Sequence, residues 1–130
     1  MSINEYISHL ESVIHSAAIV ASYALNLDRR TEDFAFISGR IDFRDGSILD
    51  FKEFLESTLS GIIKLKYGYN YRTASGILFR YDNAPDPRAR TLKSYPHHKH
   101  LDKKGIVESR EVNLTEVLDE IESLIFRGRR

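Results

Sequence analysis

The run Phe34-Ala-Phe-Ile-Ser-Gly-Arg-Ile-Asp-Phe-Arg44, followed by Asp45-Gly46 and then Ser47-Ile-Leu-Asp-Phe-Lys-Glu-Phe-Leu55, decides how the chain folds. From Ile37 to Phe43 the residues alternate. Ile37, Gly39, Ile41 and Phe43 share one face, and Ser38, Arg40, Asp42 and Arg44 share the other. Successive side chains of a strand point to opposite faces, so this is a strand with one buried side. Asp45-Gly46 supplies residues suited to the positive φ of a tight hairpin turn. Ser47 to Leu55 forms the return strand, and Glu56 to Gly61 turns the chain.

Outward from this hairpin the pattern continues. Residues 62–72 form a third strand, with Ile63, Leu65, Tyr67, Tyr69 and Tyr71 on one face and Lys64, Lys66, Gly68, Asn70 and Arg72 on the other. If the tyrosines pack inward, Lys64, Lys66 and Arg72 line the open face; the reverse arrangement would expose an aromatic platform suited to base stacking. After the loop Thr73 to Gly76, Ile77 to Asp82 forms a fourth strand, and residues 34–82 become an antiparallel meander.

Before the meander, Ile3, Ile7, Leu10, Ile14, Ala17, Ala18, Ala21 and Leu25 recur at threes and fours, which predicts a helix over 3–25 within an N-terminal segment 1–30. Ser2 with Glu5 forms a capping box. After the meander, residues 83–105 show no period and hold all three prolines. A loop of that length in a small domain points to function or mobility. Residues 106–112 suit a short fifth strand. Asn113 caps a last helix over 113–126, with Leu114, Val117, Leu118, Ile121, Leu124 and Ile125 as its apolar stripe. The expectation is a single α+β domain over 1–130: an antiparallel four- to five-stranded meander sheet with the N- and C-terminal helices packed on one face.

With 42% apolar and 29% charged residues, no net charge and 130 residues, the composition is that of an ordinary globular domain. The absence of cysteine excludes disulfides, thiolate zinc sites and a cysteine nucleophile. No run approaches a membrane span, and no signal-peptide pattern precedes Ala17, so a soluble, cytoplasmic protein is expected. The neutral total hides an asymmetry. Residues 64–104 hold ten bases and three acids, whereas residues 105–126 hold one base and six acids. Clustered positive charge attracts phosphate whatever the total.

The densest chemistry is Tyr95-Pro96-His97-His98-Lys99-His100, three histidines and a lysine within four positions. Histidine titrates near neutral pH, two can divide base and acid work, and a cation can hold charge developing on phosphorus. In an extended segment His98 and His100 converge while His97 diverges. Those histidines with Asp82 or Asp102 are also the only candidate metal ligands, but there is no HExxH and no distant histidine pair, because His9 and His15 sit six apart on a helix. No metal and no cofactor are therefore expected. The second cluster is Leu78-Phe79-Arg80-Tyr81-Asp82-Asn83-Ala84-Pro85. Arg80 and Asp82 share a strand face, and Asp82 can orient a histidine. There is no P-loop, GxGxxG or GxSxG, and Ser47, Ser75 and Ser94 lack the context of an activated nucleophile.

At these residues the chain resembles the TumE-like toxin family of prokaryotic toxin–antitoxin pairs. The likeness rests on Gly39-x-Ile41-x-Phe43-x-Asp45-Gly46-Ser47-x-Leu49-x-Phe51 with Glu53, on Tyr67-x-Tyr69-x-Tyr71, on the Leu78 to Pro85 run, on Pro96 to His100, and on Val117-Leu118-x-Glu120-Ile121. It covers about residues 36–125. Where the family pattern has histidine just after the Asn83-Ala84-Pro85 block, this chain has Asp86-Pro87. The resemblance implies a growth-inhibiting toxin neutralised by a cognate antitoxin. Joined to the basic segment and the histidines, it leads to a metal-independent endoribonuclease. His97, His98, His100, Lys99, Arg80 and Asp82 are the expected catalytic residues, and Lys64, Lys66, Arg72, Tyr81 and Asn83 the expected substrate-binding ones. The expected partners are RNA and the antitoxin, with a homodimer left open and no membrane partner. The alternatives are a non-catalytic RNA- or antitoxin-binding module and a metal-dependent phosphodiesterase.

Overall fold

In the computed structural model, which describes residues 1–128, the first helix α1 (Ile3–Ser16) opens with the expected capping box. Glu5 N–H donates to Ser2 Oγ at 3.1 Å, and Ser2 N–H donates to Glu5 Oε1 at 3.1 Å. The helix does not run to Leu25. Ala17 is already extended, with φ −86° and ψ 111°, and β1 (Val20–Arg29) follows. Alanine at 17, 18 and 21 suits either period, so the threes-and-fours count over-extended the helix. The competing period-2 signal was present: Tyr23, Leu25 and Leu27 alternate with Ser22, Ala24 and Asn26, and pairing with the next strand decides in its favour.

The hairpin stands where its alternation placed it, as β2 (Phe34–Phe43) and β3 (Ile48–Thr58), with Gly46 at φ +88° in the turn. Next come β4 (Gly61–Thr73) and β5 (Gly76–Asp82). The segment from 83 to 105 is not structureless. It holds a 3-10 turn at Pro87–Ala89 and β6 (His98–Leu101), which pairs with β7 (Gly105–Glu108). All seven strands form one antiparallel sheet in sequence order, so four to five strands was an undercount. The second helix, α2 (Leu114–Gly128), is capped reciprocally by Asn113 and Glu116. No helix among the described residues is long and apolar enough to cross a membrane.

Register divides the sheet into two faces. One face carries Ile37, Ile41, Phe43, Leu49, Phe51, Leu55, Tyr67, Tyr69, Tyr71, Phe79 and Tyr81, all buried. These join Leu10 and Ile14 of α1 and Val117, Leu118, Ile121 and Ile125 of α2 in one core. Gly39 is required here: a Cβ would lie 2.4 Å from the Phe51 ring, which fills its place. The register of β4 shifts opposite Phe54 and Leu55, so that Phe54 pairs with Lys66 and Leu55 with Lys64. Lys64 thereby joins the tyrosine face, which simple alternation through Leu65 does not anticipate.

Candidate functional site

The two sequence clusters meet because β6 pairs with β5. Arg80 lies opposite His100 and Asp82 opposite His98. All four side chains fall on the face that the helices leave open. The same alternation sends His97 and Lys99 to the helix side, so Pro96 to His100 is split between two environments.

On the open face the geometry is tight. Asp82 Oδ1 lies 3.0 Å from His98 Nε2, and Oδ2 lies 3.0 Å from Arg80 Nε and 3.6 Å from His100 Nε2. The Ala84 amide donates to Asp82 Oδ1 at 3.0 Å, a turn of the kind an aspartate initiates. His98 is 1% exposed, and its Nδ1 lies 2.8 Å from the Pro96 carbonyl oxygen. A carbonyl only accepts, so Nδ1 carries a proton. His98 Nε2 faces the Asp82 carboxylate at 3.0 Å, so one proton is shared between the two. His100 Nε2 lies 3.1 Å from Arg80 Nη2 and 3.0 Å from His98 Nε2. Arginine only donates, which makes His100 Nε2 the acceptor. Burial, reinforced by the Arg80 charge, pushes the His100 pKa below its usual value against the pull of Asp82; His98 and Arg88 add to the lowering. The arrangement is therefore a neutral imidazole with its lone pair toward a shared, proton-rich centre.

Asp82, His98 and His100 also offer three ligand atoms within 4.8 Å of one another, so the set can fit a divalent cation. The Arg80 guanidinium already touches two of these donors, on Asp82 and on His100. Its positive charge opposes a metal in the same place.

The other expected site residues lie elsewhere. Tyr67 Oη and His97 Nδ1 are 2.8 Å apart, with the rings stacked. Lys99 Nζ donates to Glu120 of α2 at 2.7 Å and lies over the Tyr81 ring, and Tyr81 Oη–H donates to the same carboxylate at 2.5 Å. Burial opposes the Lys99 charge, but hydrogen bonds to Glu120 and Tyr81 outweigh it and raise its pKa. Lys99 and Tyr81 thus sit behind the sheet, away from Asp82. Asn83 is bound into β4: its Oδ1 accepts from the Tyr67 amide at 3.0 Å, and its Nδ2 donates to the Leu65 carbonyl at 3.0 Å. Arg72 is on the open face, paired with Asp50 at 3.1 Å, and Lys66 is exposed there.

Lys64 is placed against expectation. Its side chain is 7% exposed, 3.7 Å from Glu53, and it donates to Tyr69 Oη at 2.7 Å and to the Val112 carbonyl at 2.5 Å. Burial pushes its pKa down, with Glu53 pulling the other way. Glu53 is fully buried and also accepts from Tyr6 at 2.5 Å and from Tyr69. Sequence reasoning assigned no such network, although a glutamate at an inward position between Phe51 and Leu55 signals one. It also assigned no role to Lys52, an outward residue of β3.

Comparison with known proteins adds one finding. A family model described as Toxin TumE matches residues 10–125. No curated protein and no solved structure matches the chain.

Proposed function

The chain belongs to the TumE toxin family, and from that premise we propose that it is the toxin of a type II toxin–antitoxin pair, acts in the cytoplasm, and cleaves RNA through Arg80, Asp82, His98 and His100. The observation that carries this reading is the convergence of an acceptor imidazole, a buried imidazole–carboxylate pair and a guanidinium on the uncovered face of the sheet. A pair of histidines 3.0 Å apart stands side by side and does not flank a phosphorus atom. The roles therefore divide differently from a two-histidine base and acid. As the Arg80 guanidinium turns from His100 to the phosphate, His100 Nε2 is freed to take the proton of a ribose 2′-OH. The 2′-oxygen forms a bond to phosphorus, and the bond to the 5′-oxygen breaks, leaving a 2′,3′-cyclic phosphate and a 5′-hydroxyl that takes its proton from water. His98, held by Asp82 and the Pro96 carbonyl, positions His100. Arg80 offsets the charge on the phosphorane. A cognate antitoxin would neutralise the protein by denying RNA this face.

The test is purified protein with end-labelled RNA, with and without a chelator. Cleavage to cyclic-phosphate ends that survives the chelator and disappears in His100→Ala is the expected result. Intact RNA that is merely shifted would replace cleavage by binding. The spacing of Asp82, His98 and His100 favours one second reading, a metal-dependent phosphodiesterase. Loss of cleavage in chelator, restored by a stoichiometric divalent ion, would establish it.

A further inference from the structure

Beside the histidine cluster the open face has a low point floored by Gly68 and covered only by the flexible Lys52 side chain. One cross-strand row runs Ser38, Lys52, Gly68, Asp82, His98. Gly68 has no side chain to fill its place. A Cβ there would meet Lys52 Cε at 3.5 Å and Asp82 Cβ at 3.9 Å. Lys52 leans over this space from one side, and the Arg80–Asp82–His98–His100 cluster borders it on the other. Among the described residues the open-face arginines are committed: Arg40 to Asp42, Arg72 to Asp50 and Arg80 to Asp82. Among the described residues Lys52 and Lys66, both exposed, form no ion pair.

The neighbouring row holds Phe36, Phe54 and Lys66. Phe36 and Phe54 rings lie 6.3 Å apart, and both are only partly buried. Two residues along a strand advance about 6.7 Å, roughly the reach of one nucleotide. A single trough of about 1260 Å³ joins this aromatic end to Gly68, Asn70 and Asp82.

We propose that this trough is a single-stranded RNA subsite, with one phosphate beside Gly68 against Lys52, and the adjoining base on Phe36 and Phe54. The proposal rests on the RNA reading above and names how the substrate would lie. Free lysines supply charge complementary to phosphate, and exposed rings accept any base by stacking. A duplex, with its bases already stacked, cannot use the aromatic end. The juxtaposition assigns the cationic role to Lys52, on the face where Lys99 is not.

The experiment measures binding of a labelled single-stranded RNA octamer by the full chain carrying His100→Ala, and cleavage by the chain without it. Gly68→Val fills the low point at a strand position with ordinary φ and should fold as the parent does. It should bind at least ten-fold more weakly. Lys52→Gln should weaken binding and lower the slope of log K against log salt by about 0.7, one phosphate contact. Phe54→Ala should weaken binding on the order of ten-fold and leave that slope unchanged. A folded Gly68→Val that binds with parental affinity and slope overturns the subsite, and so does equal binding of duplex RNA. If the parent cleaves and all three variants cleave equally at limiting RNA, the subsite falls and the cleavage reading stands. If the parent leaves RNA intact and Gly68→Val loses binding, the subsite stands and the cleavage reading falls. RNA binding unchanged in Gly68→Val, with capture of the antitoxin lost, assigns the trough to the antitoxin and overturns the proposal.

Discussion

Glu53 and Asp82 are both buried carboxylates in the middle of one sheet, yet they stand on opposite faces and keep different company. Glu53 is held by Tyr6, Tyr69 and Lys64. Burial first, and the Glu53 charge second, push both tyrosine hydroxyls far above their usual pKa, so both stay protonated near neutral pH. The network ties α1 to the sheet. Asp82 is held by two imidazoles and a guanidinium at a face the helices do not cover. Imidazole exchanges protons near neutrality. Burial and hydrogen bonding alone thus do not mark chemistry; the titration range of the partners, and access to them, do.

Matched neutralisation of the two carboxylates should separate stability from activity. Glu53→Gln leaves Lys64 buried without its counter-charge and should cost roughly 3–5 kcal/mol, the scale for breaking a buried pair from one side. Urea denaturation reads this directly, and a parental midpoint would show that the network does not hold the fold. Asp82→Asn should keep the fold but slow RNA cleavage by at least about 100-fold, because His98 loses the carboxylate that orients it. Full toxicity in folded Asp82→Asn would erase the distinction between the two sites.

The pH dependence is a subtler probe. The folded pKa of His100 lies below its ordinary value of 6.5, so the neutral, basic form persists to lower pH than in the unfolded chain. This contributes stability that is present above 6.5 and is lost as pH falls through the folded pKa. The acid limb of the cleavage rate should therefore lie below pH 6.5, and a limb above it would exclude His100 as the base. The smallest effect is expected at Lys99→Ala, which removes the pair with Glu120. Stability should fall by about 1 kcal/mol and cleavage should not change. A large loss of rate with little loss of stability would return Lys99 to the site.

Much of this was legible in the residue pattern. The Ile37–Phe43 alternation and Asp45-Gly46 specify the central hairpin, and Arg80 with Asp82 reads as one strand face. His98 and His100 could be expected to converge because extended chain alternates. The missed elements have particular causes. Val20–Arg29 carries few large side chains, so helical and strand periods compete. The short β6 lies directly after proline-rich chain and shows only two turns of its period. Lys64 changes face through a register shift that no local pattern displays, and the Glu53 network joins residues 47 positions apart, from Tyr6 to Glu53.

The sequence by itself determined the strand periods, the helix caps and the residue types able to move protons, because these follow from bonds and contacts between near neighbours in the chain. Only the tertiary structure decided which histidines share a centre with Arg80 and Asp82, which lysines remain free, and where a glycine leaves room beside them. Those outcomes depend on the pairing of β5 with β6 and on the register of β3 with β4. Pairing between strands is a long-range choice, settled by burying one whole face of the sheet under two helices.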